Sequence, residues 1–163
     1  MKRFDHLTTR ERRQSLQRAI ESAPDPEAIS LFAYGSLIWR PCFEVQSRCK
    51  AILHGYRRDF CVFTVEARGV PDSPGLGVGL RVNSASCEGV LLPLPKDGRS
   101  EVLTSIWERE MLTAVYQPQW VSVEVDSKFT TALTFVVDES HPQCAGDLSE
   151  ETQAAMIRSA VGE

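Results

Sequence analysis

The segment SEVLTSIWEREML, residues 100–112, sets a carboxylate among apolar residues at helical spacing. Leu103, Ile106, Trp107 and Glu110 stand at i, i+3, i+4 and i+7. At about 100° per residue, Glu110 falls about 20° from Leu103, on the stripe that would face a core. Glu101, Glu108 and Arg109 point elsewhere. A carboxylate in such a place is costly to ionise without partners, so its pKa rises. A position near the helix C-terminus would raise it further through the dipole. A carboxyl group of that kind suits general-base work near neutral pH. Two other readings of the same spacing stay open. The helix frays before Glu110, or Glu110 pairs with an arginine such as Arg57, Arg58 or Arg68.

A second candidate lies in LFAYGSLIWRP, residues 31–41. An apolar run yields to Tyr34-Gly35-Ser36 and resumes at Leu37-Ile38-Trp39, so the flanks are expected to anchor the turn in the core. Gly35 has access to conformations closed to other residues. A turn there can aim the N–H groups of residues 35–37 into one concavity suited to a carboxylate or a phosphate. A glycine inside a strand also marks a bulge, and the spacing does not separate the two readings. No Gly-Lys-Ser/Thr follows, as a phosphate loop requires, and no G-x-S-x-G elbow surrounds Ser36. Trp39 reads as core rather than as a ligand stack. His54 reads as a structural histidine rather than a base. The five cysteines form no C-x-x-C pair, and the three histidines show no ligand spacing with them. No metal site is expected.

The elements that must position these residues are short. Residues 8–22 read as a helix with Thr8 and Glu11 as a capping box and Leu16, Ala19 and Ile20 as its apolar stripe. Residues 29–34 form a strand, and 48–68 hold one or two more. GVPDSPGLG is a loop. VGLRV and CEGVLLPLP read as two strands with a turn near Asn83-Ser84. WVSVEVD and FTTALTFVVD form a hairpin about Asp126-Ser127-Lys128, and Ser149 caps a last helix. Many short strands with few helices predict an α+β fold: a mixed or antiparallel sheet closed as a barrel, with helices outside. At 163 residues and 42% hydrophobic content, one main domain is expected. The division is a helical extension over 1–28 and a domain over 29–163. A net charge of −4 disfavours nucleic acid as partner. The basic residues among the first twenty read as a solvated helix face. No apolar run is long enough for a membrane span, and no secretory leader is visible, so a cytoplasmic location with reduced thiols is expected.

Five blocks in order resemble one family: YGSLIWRP (34–41), GYRRDFC (55–61), RGVPDSPGL (68–76), EGVLLPLP (88–95) and WEREMLTAVYQPQWV (107–121). They are similar to the signature blocks of the ChaC family, the glutathione-specific γ-glutamylcyclotransferases, and FVVDESHP (135–142) resembles its bacterial branch. The resemblance implies a γ-glutamylcyclotransferase-like barrel with flanking helices. It implies a lyase activity that converts glutathione to 5-oxoproline and Cys-Gly with no cofactor. It also implies roles: Tyr34, Gly35, Ser36 and Leu37 hold the γ-glutamyl group, and Glu110 is the acid/base. Arg68 is a ligand or a buried structural arginine, and Tyr34 and Tyr116 are candidate oxyanion donors. The chain departs from the family in ending before the usual Asn-x-x-Tyr-Leu segment, and in carrying Val70 where Thr is frequent. Three alternatives remain: a cyclotransferase for another γ-glutamyl compound, a catalytically weak γ-glutamyl-binding or regulatory module, and a phosphate-binding protein. The last is disfavoured by the acidic balance. Oligomeric state is not legible.

Overall fold

In a computed structural model, described over residues 4–65 and 69–160, five strands close into a barrel. They are β1 (Ser30–Ala33), β2 (Cys49–Thr64), β3 (Gly75–Pro93), β4 (Tyr116–Val125) and β5 (Lys128–Val137), in the order β1-β3-β2-β4-β5. Two wide antiparallel ribbons, β2–β3 and β4–β5, make most of the wall. The barrel closes where β1 runs parallel to β5 at Leu31 and Leu133, and where Ile52 of β2 meets Glu124 of β4. The expected barrel is therefore present.

β1 is buried on both sides, which explains why it reads as a continuous apolar run. Phe32 and Tyr34 point into the barrel with Leu53, Leu80 and Val123. Leu31 and Ala33 point outward to Leu103, Ile106 and Trp107. These three lie on helix α2 (Arg99–Glu110), on the stripe the sequence predicts. β3 must pass close to β1, since a Cβ at Gly89 would lie 2.6 Å from the Ala33 carbonyl oxygen.

Helix α1 (Thr9–Glu21) starts on the expected capping box: Thr8 Oγ1 accepts from the Glu11 N–H, and Glu11 accepts from the Thr8 N–H. It packs on α2, where the Trp107 indole donates to Ser15 Oγ, and on β4, where the Trp120 indole donates to the Ala19 carbonyl. Helix α3 (Glu150–Ser159) begins on Ser149. The β4–β5 hairpin turns at Asp126 and Ser127, both at positive φ.

The turn expected at Asn83-Ser84 is absent. β3 continues through it because the ladder absorbs the polar stretch in a register shift between His54 and Tyr56, around Gly55 at φ +83°. The polar run thus marks a bend in one long strand rather than its end. His54 is a surface residue bridging Ser86 and Glu124 across three strands.

Arg81, almost fully buried on β3, ties the barrel to the chain after β5. It bonds Glu139 at 2.7 Å and Asp147 at 2.6 Å, with Asp59 at 3.3 Å. These hydrogen bonds hold the Glu139 and Asp147 carboxyls below their ordinary values. A depressed carboxyl adds stability above its unfolded value and loses it as pH falls through the folded one. Thermal melts from pH 7 to 3 should therefore show the melting temperature falling below about pH 4. In Arg81→Met that dependence should flatten and the neutral-pH melting temperature should drop; an unchanged profile would disprove the linkage.

Candidate active site

Glu110 is the last residue of α2, continuing the buried stripe of Leu103, Ile106 and Trp107. The helix does not fray before it. Its side chain is 17% exposed. Burial pushes its carboxyl above the ordinary glutamate value of 4.5, while the neighbouring Arg109 pulls it down. The carbonyl end of the helix acts in the same direction as burial. The arginine beside it is neither Arg57 nor Arg58. Arg57 pairs with Asp59 and Asp147, and Arg58 donates to the Tyr34 carbonyl. Arg68 lies outside the described residues.

The chain after β1 turns through a short 3₁₀ segment, Ser36–Ile38. Its own bonds run from the N–H groups of Ile38, Trp39 and Arg40 back to the carbonyls of Gly35 and Ser36. As the first residues of that turn, Gly35, Ser36 and Leu37 keep their N–H groups out of the backbone bonding of the described residues. Leu37 anchors the turn in the core, but Trp39 does not: it is 63% exposed at the cavity rim. The apolar run therefore misled for Trp39, because the 3₁₀ turn rotates it off the buried face. Gly35 also differs from expectation. Its φ of −131° is open to any residue, and a Cβ there would meet no atom within 4 Å. The glycine matters here by leaving space.

A cavity of about 240 Å³ collects these groups: Tyr34, Gly35, Ser36 and Leu37 on one wall, Glu110 and Tyr116 on the other. Both phenols are deeply buried and their pKa values are raised, chiefly by burial and further by Glu110. Tyr34 donates to the Phe135 carbonyl and Tyr116 to the Val78 carbonyl, each at 2.7 Å. Their protons are thus committed to the barrel, which speaks against the oxyanion-donor role for which both were candidates. Arg109 is the residue sequence reasoning missed. Its guanidinium donates to Ser36 Oγ at 2.8 Å and to the Arg40 carbonyl, and lies 3.4 Å from the Glu110 carboxylate. Its place beside Glu110 in the WEREML block was the available signal. A larger groove of about 570 Å³ runs along α1, but its carboxyls, Glu11 and Asp138, are exposed and held below their ordinary values. They are poor bases. Among the described residues no cluster of His, Cys, Asp or Glu could hold a metal, and no helix is long and apolar enough to cross a membrane.

The family model described as ChaC-like protein matches residues 29–163. The chain belongs to the ChaC family. The resemblance of the five blocks is thereby borne out. The chain is 33% identical over 153 residues to the glutathione-specific gamma-glutamylcyclotransferase of Escherichia coli, covering 93% of this chain and 66% of that protein. It is 30% identical over 137 residues to glutathione-specific gamma-glutamylcyclotransferase 1 of Rattus norvegicus, covering 82% and 62%. It thus spans just under two thirds of these ChaC relatives. The fold matches the crystal structure of a yeast gamma-glutamyl cyclotransferase specific to glutathione, with a TM-score of 0.76 over 83% of this chain and 80% of that one, at 18% identity.

Proposed function

We propose that this ChaC protein converts glutathione to 5-oxoproline and Cys-Gly, with Glu110 as the acid/base. The supporting observation is a mostly buried carboxyl of raised pKa sharing one small cavity with Gly35–Leu37, whose N–H groups take no part in the backbone bonding of the described residues. The relatives named for this activity support the substrate class. In the reaction the substrate's α-amine nitrogen attacks its own γ-carbonyl carbon, and the bond from that carbon to the cysteine nitrogen breaks. Glu110 takes a proton from the ammonium, since only the free amine attacks, and gives it to the departing nitrogen; the attacking nitrogen sheds a second proton as the lactam closes, and the released dipeptide amine takes that one up to leave as an ammonium. No water is consumed. The Gly35–Leu37 N–H groups are suited to grip the α-carboxylate, and the Tyr34 and Tyr116 oxygens to accept from the α-ammonium. Holding amine and carbonyl together supplies much of the rate.

The test is to incubate the purified chain with glutathione and follow 5-oxoproline by mass spectrometry. Formation of 5-oxoproline with equal Cys-Gly is expected. A folded chain yielding neither would favour a γ-glutamyl-binding module instead.

Arg109 acts as a positioning residue, joining the turn to the base. Lysine keeps the charge but cannot span three partners. Arg109→Lys should lose roughly 10- to 100-fold in kcat/KM through misplacement alone. Arg109→Gln should lose as much and also move the acid limb of the pH–rate profile upward, because the cation that lowers the Glu110 pKa is gone. Identical pH profiles in the two variants would refute the coupling.

A further inference from the structure

After β5 the chain turns back across the end of β2. The Asp138 N–H donates to the Val115 carbonyl and the Ala145 N–H to the Cys61 carbonyl, each at 2.8 Å, and Cys144 pairs antiparallel with Val62. Within this return Gln143 brackets Phe63. Its carbonyl accepts from the Phe63 N–H and its side-chain amide donates to the Phe63 carbonyl, both at 2.9 Å. The other side of the same amide meets Thr113 Oγ1 at 2.6 Å. Thr113 is 7% exposed and lies three residues after Glu110, in the link from α2 to β4.

The polarity of this bridge is fixed by its chemistry. The Phe63 carbonyl can only accept, so Nε2 of Gln143 must face it. Oε1 is thereby turned to Thr113, whose hydroxyl must donate. The lone pairs of that hydroxyl are left to the Val115 N–H, which donates weakly at 3.4 Å. Donors thus run in one sense from Val115 through Thr113 and Gln143 to Phe63, and hydrogen bonds in such a chain strengthen one another.

We propose that Gln143 is a positioning residue for Glu110, fixing the link that follows it against the end of β2 through Thr113. The inference rests on the proposed cyclisation. Glu110 ends α2, and past it the Met111 N–H bonds back to Trp107. A helix end has no further turn to hold it, so the direction of the Glu110 carboxyl depends on what fastens the next few residues. Glu110, Thr113 and Gln143 line one cavity of about 140 Å³, together with Thr64, the residue after Phe63. A bridge that sets the width of this space also sets how much water reaches the carboxyl. A displacement of about 1 Å is enough to cost roughly 100-fold in rate.

The experiment uses Gln143→Leu and Thr113→Val, each near its parent in size and unable to form the bridge. Well below the melting temperature of each, kcat for 5-oxoproline formation should fall roughly 10-fold, with KM for glutathione within about twofold. The double variant should lose no more than the worse single, because the two side chains act as one unit. Thr113→Ser, which keeps the hydroxyl, should hold the parental rate. A second readout needs no turnover. In an NMR titration of the side-chain carboxyl carbon, the Glu110 pKa should move toward the ordinary value of 4.5 in both single variants. Both substituted side chains are neutral, and Arg109, Tyr34, Tyr116, Cys42 and His6 stay in place around the carboxyl, so such a shift reports admitted water. Where Gln143→Leu fails to fold, Thr113→Val carries both readouts. Parental kcat in the single variants, additive losses in the double, or an unmoved Glu110 pKa would overturn the inference. No 5-oxoproline from the folded parent would overturn the cyclisation reading, and the titration would still decide whether the bridge holds Glu110.

Discussion

Glu110→Gln should abolish 5-oxoproline formation and at the same time raise the melting temperature. Removing a positioned general acid/base costs about 10²- to 10⁴-fold, and glutamine fills the same space without exchanging a proton. The stability effect follows from the raised pKa. A carboxyl whose folded pKa lies above its unfolded value binds its proton more tightly in the native state. It therefore favours folding at low pH, and that contribution is lost as pH rises from the unfolded value through the folded one. Wherever the carboxyl is ionised, the wild-type chain holds a charge in a mostly buried place, and the amide relieves that cost. Toward acid pH, as the carboxyl takes up its proton, the difference should shrink. Turnover of the wild-type chain should fall on the acid side at a pH above 4.5, the ordinary glutamate value. A variant that turns over glutathione at the parental rate would remove Glu110 from the chemistry. A variant melting lower than the parent at pH 8 would mean that the carboxylate is structural.

Trp107→Ala should be the most destabilising simple substitution. The indole is 2% exposed, meets Phe135 edge-on with ring centroids 5.3 Å apart, and bonds Ser15. It joins α2 to the barrel and to α1 at once. Truncating a buried tryptophan costs about 3–5 kcal/mol, a large part of the roughly 5–15 kcal/mol a domain has. The melting temperature should fall by roughly 10 °C or more. Trp107 also precedes Glu110 by one helical turn on the same stripe, so activity should be lost at temperatures where the variant is still folded. A shift under about 2 °C by calorimetry would refute this assignment of the core.

The barrel was legible because its strands alternate or run apolar in register with what each face meets. The α2 stripe was legible because the same periodicity buries Leu103, Ile106 and Trp107 and then carries Glu110 inward. Thr8 and Glu11 announced their cap through spacing alone. What stayed hidden depends on contacts distant in the chain. Asn83-Ser84 looks like a turn locally, and only pairing with β2 keeps β3 running through it. Trp39 has the composition of a core residue, and only the 3₁₀ turn shows that it faces outward. Arg109 was set aside because it leaves the apolar stripe. Its partners, Ser36 and Arg40, lie some seventy residues away, where no periodicity reaches.

The narrow joint between β1 and β5 ties the proposed turnover to one of the smallest and easiest of the barrel's openings. β4 and β5 pair along ten positions, whereas β1 meets β5 in register only at Leu31 and Leu133. β2 and β4 likewise meet at a single pair, Ile52 and Glu124, so partial opening is expected first at these two closures. The Tyr34–Leu37 turn hangs directly from β1, while Glu110 rides on α2. A molecule parted at this joint keeps both ribbons hydrogen-bonded yet loses the alignment of turn and carboxyl. Heat should thus abolish the proposed activity before it unravels the ribbons, and the β4–β5 ladder amides are expected to stay protected from hydrogen exchange after activity is lost.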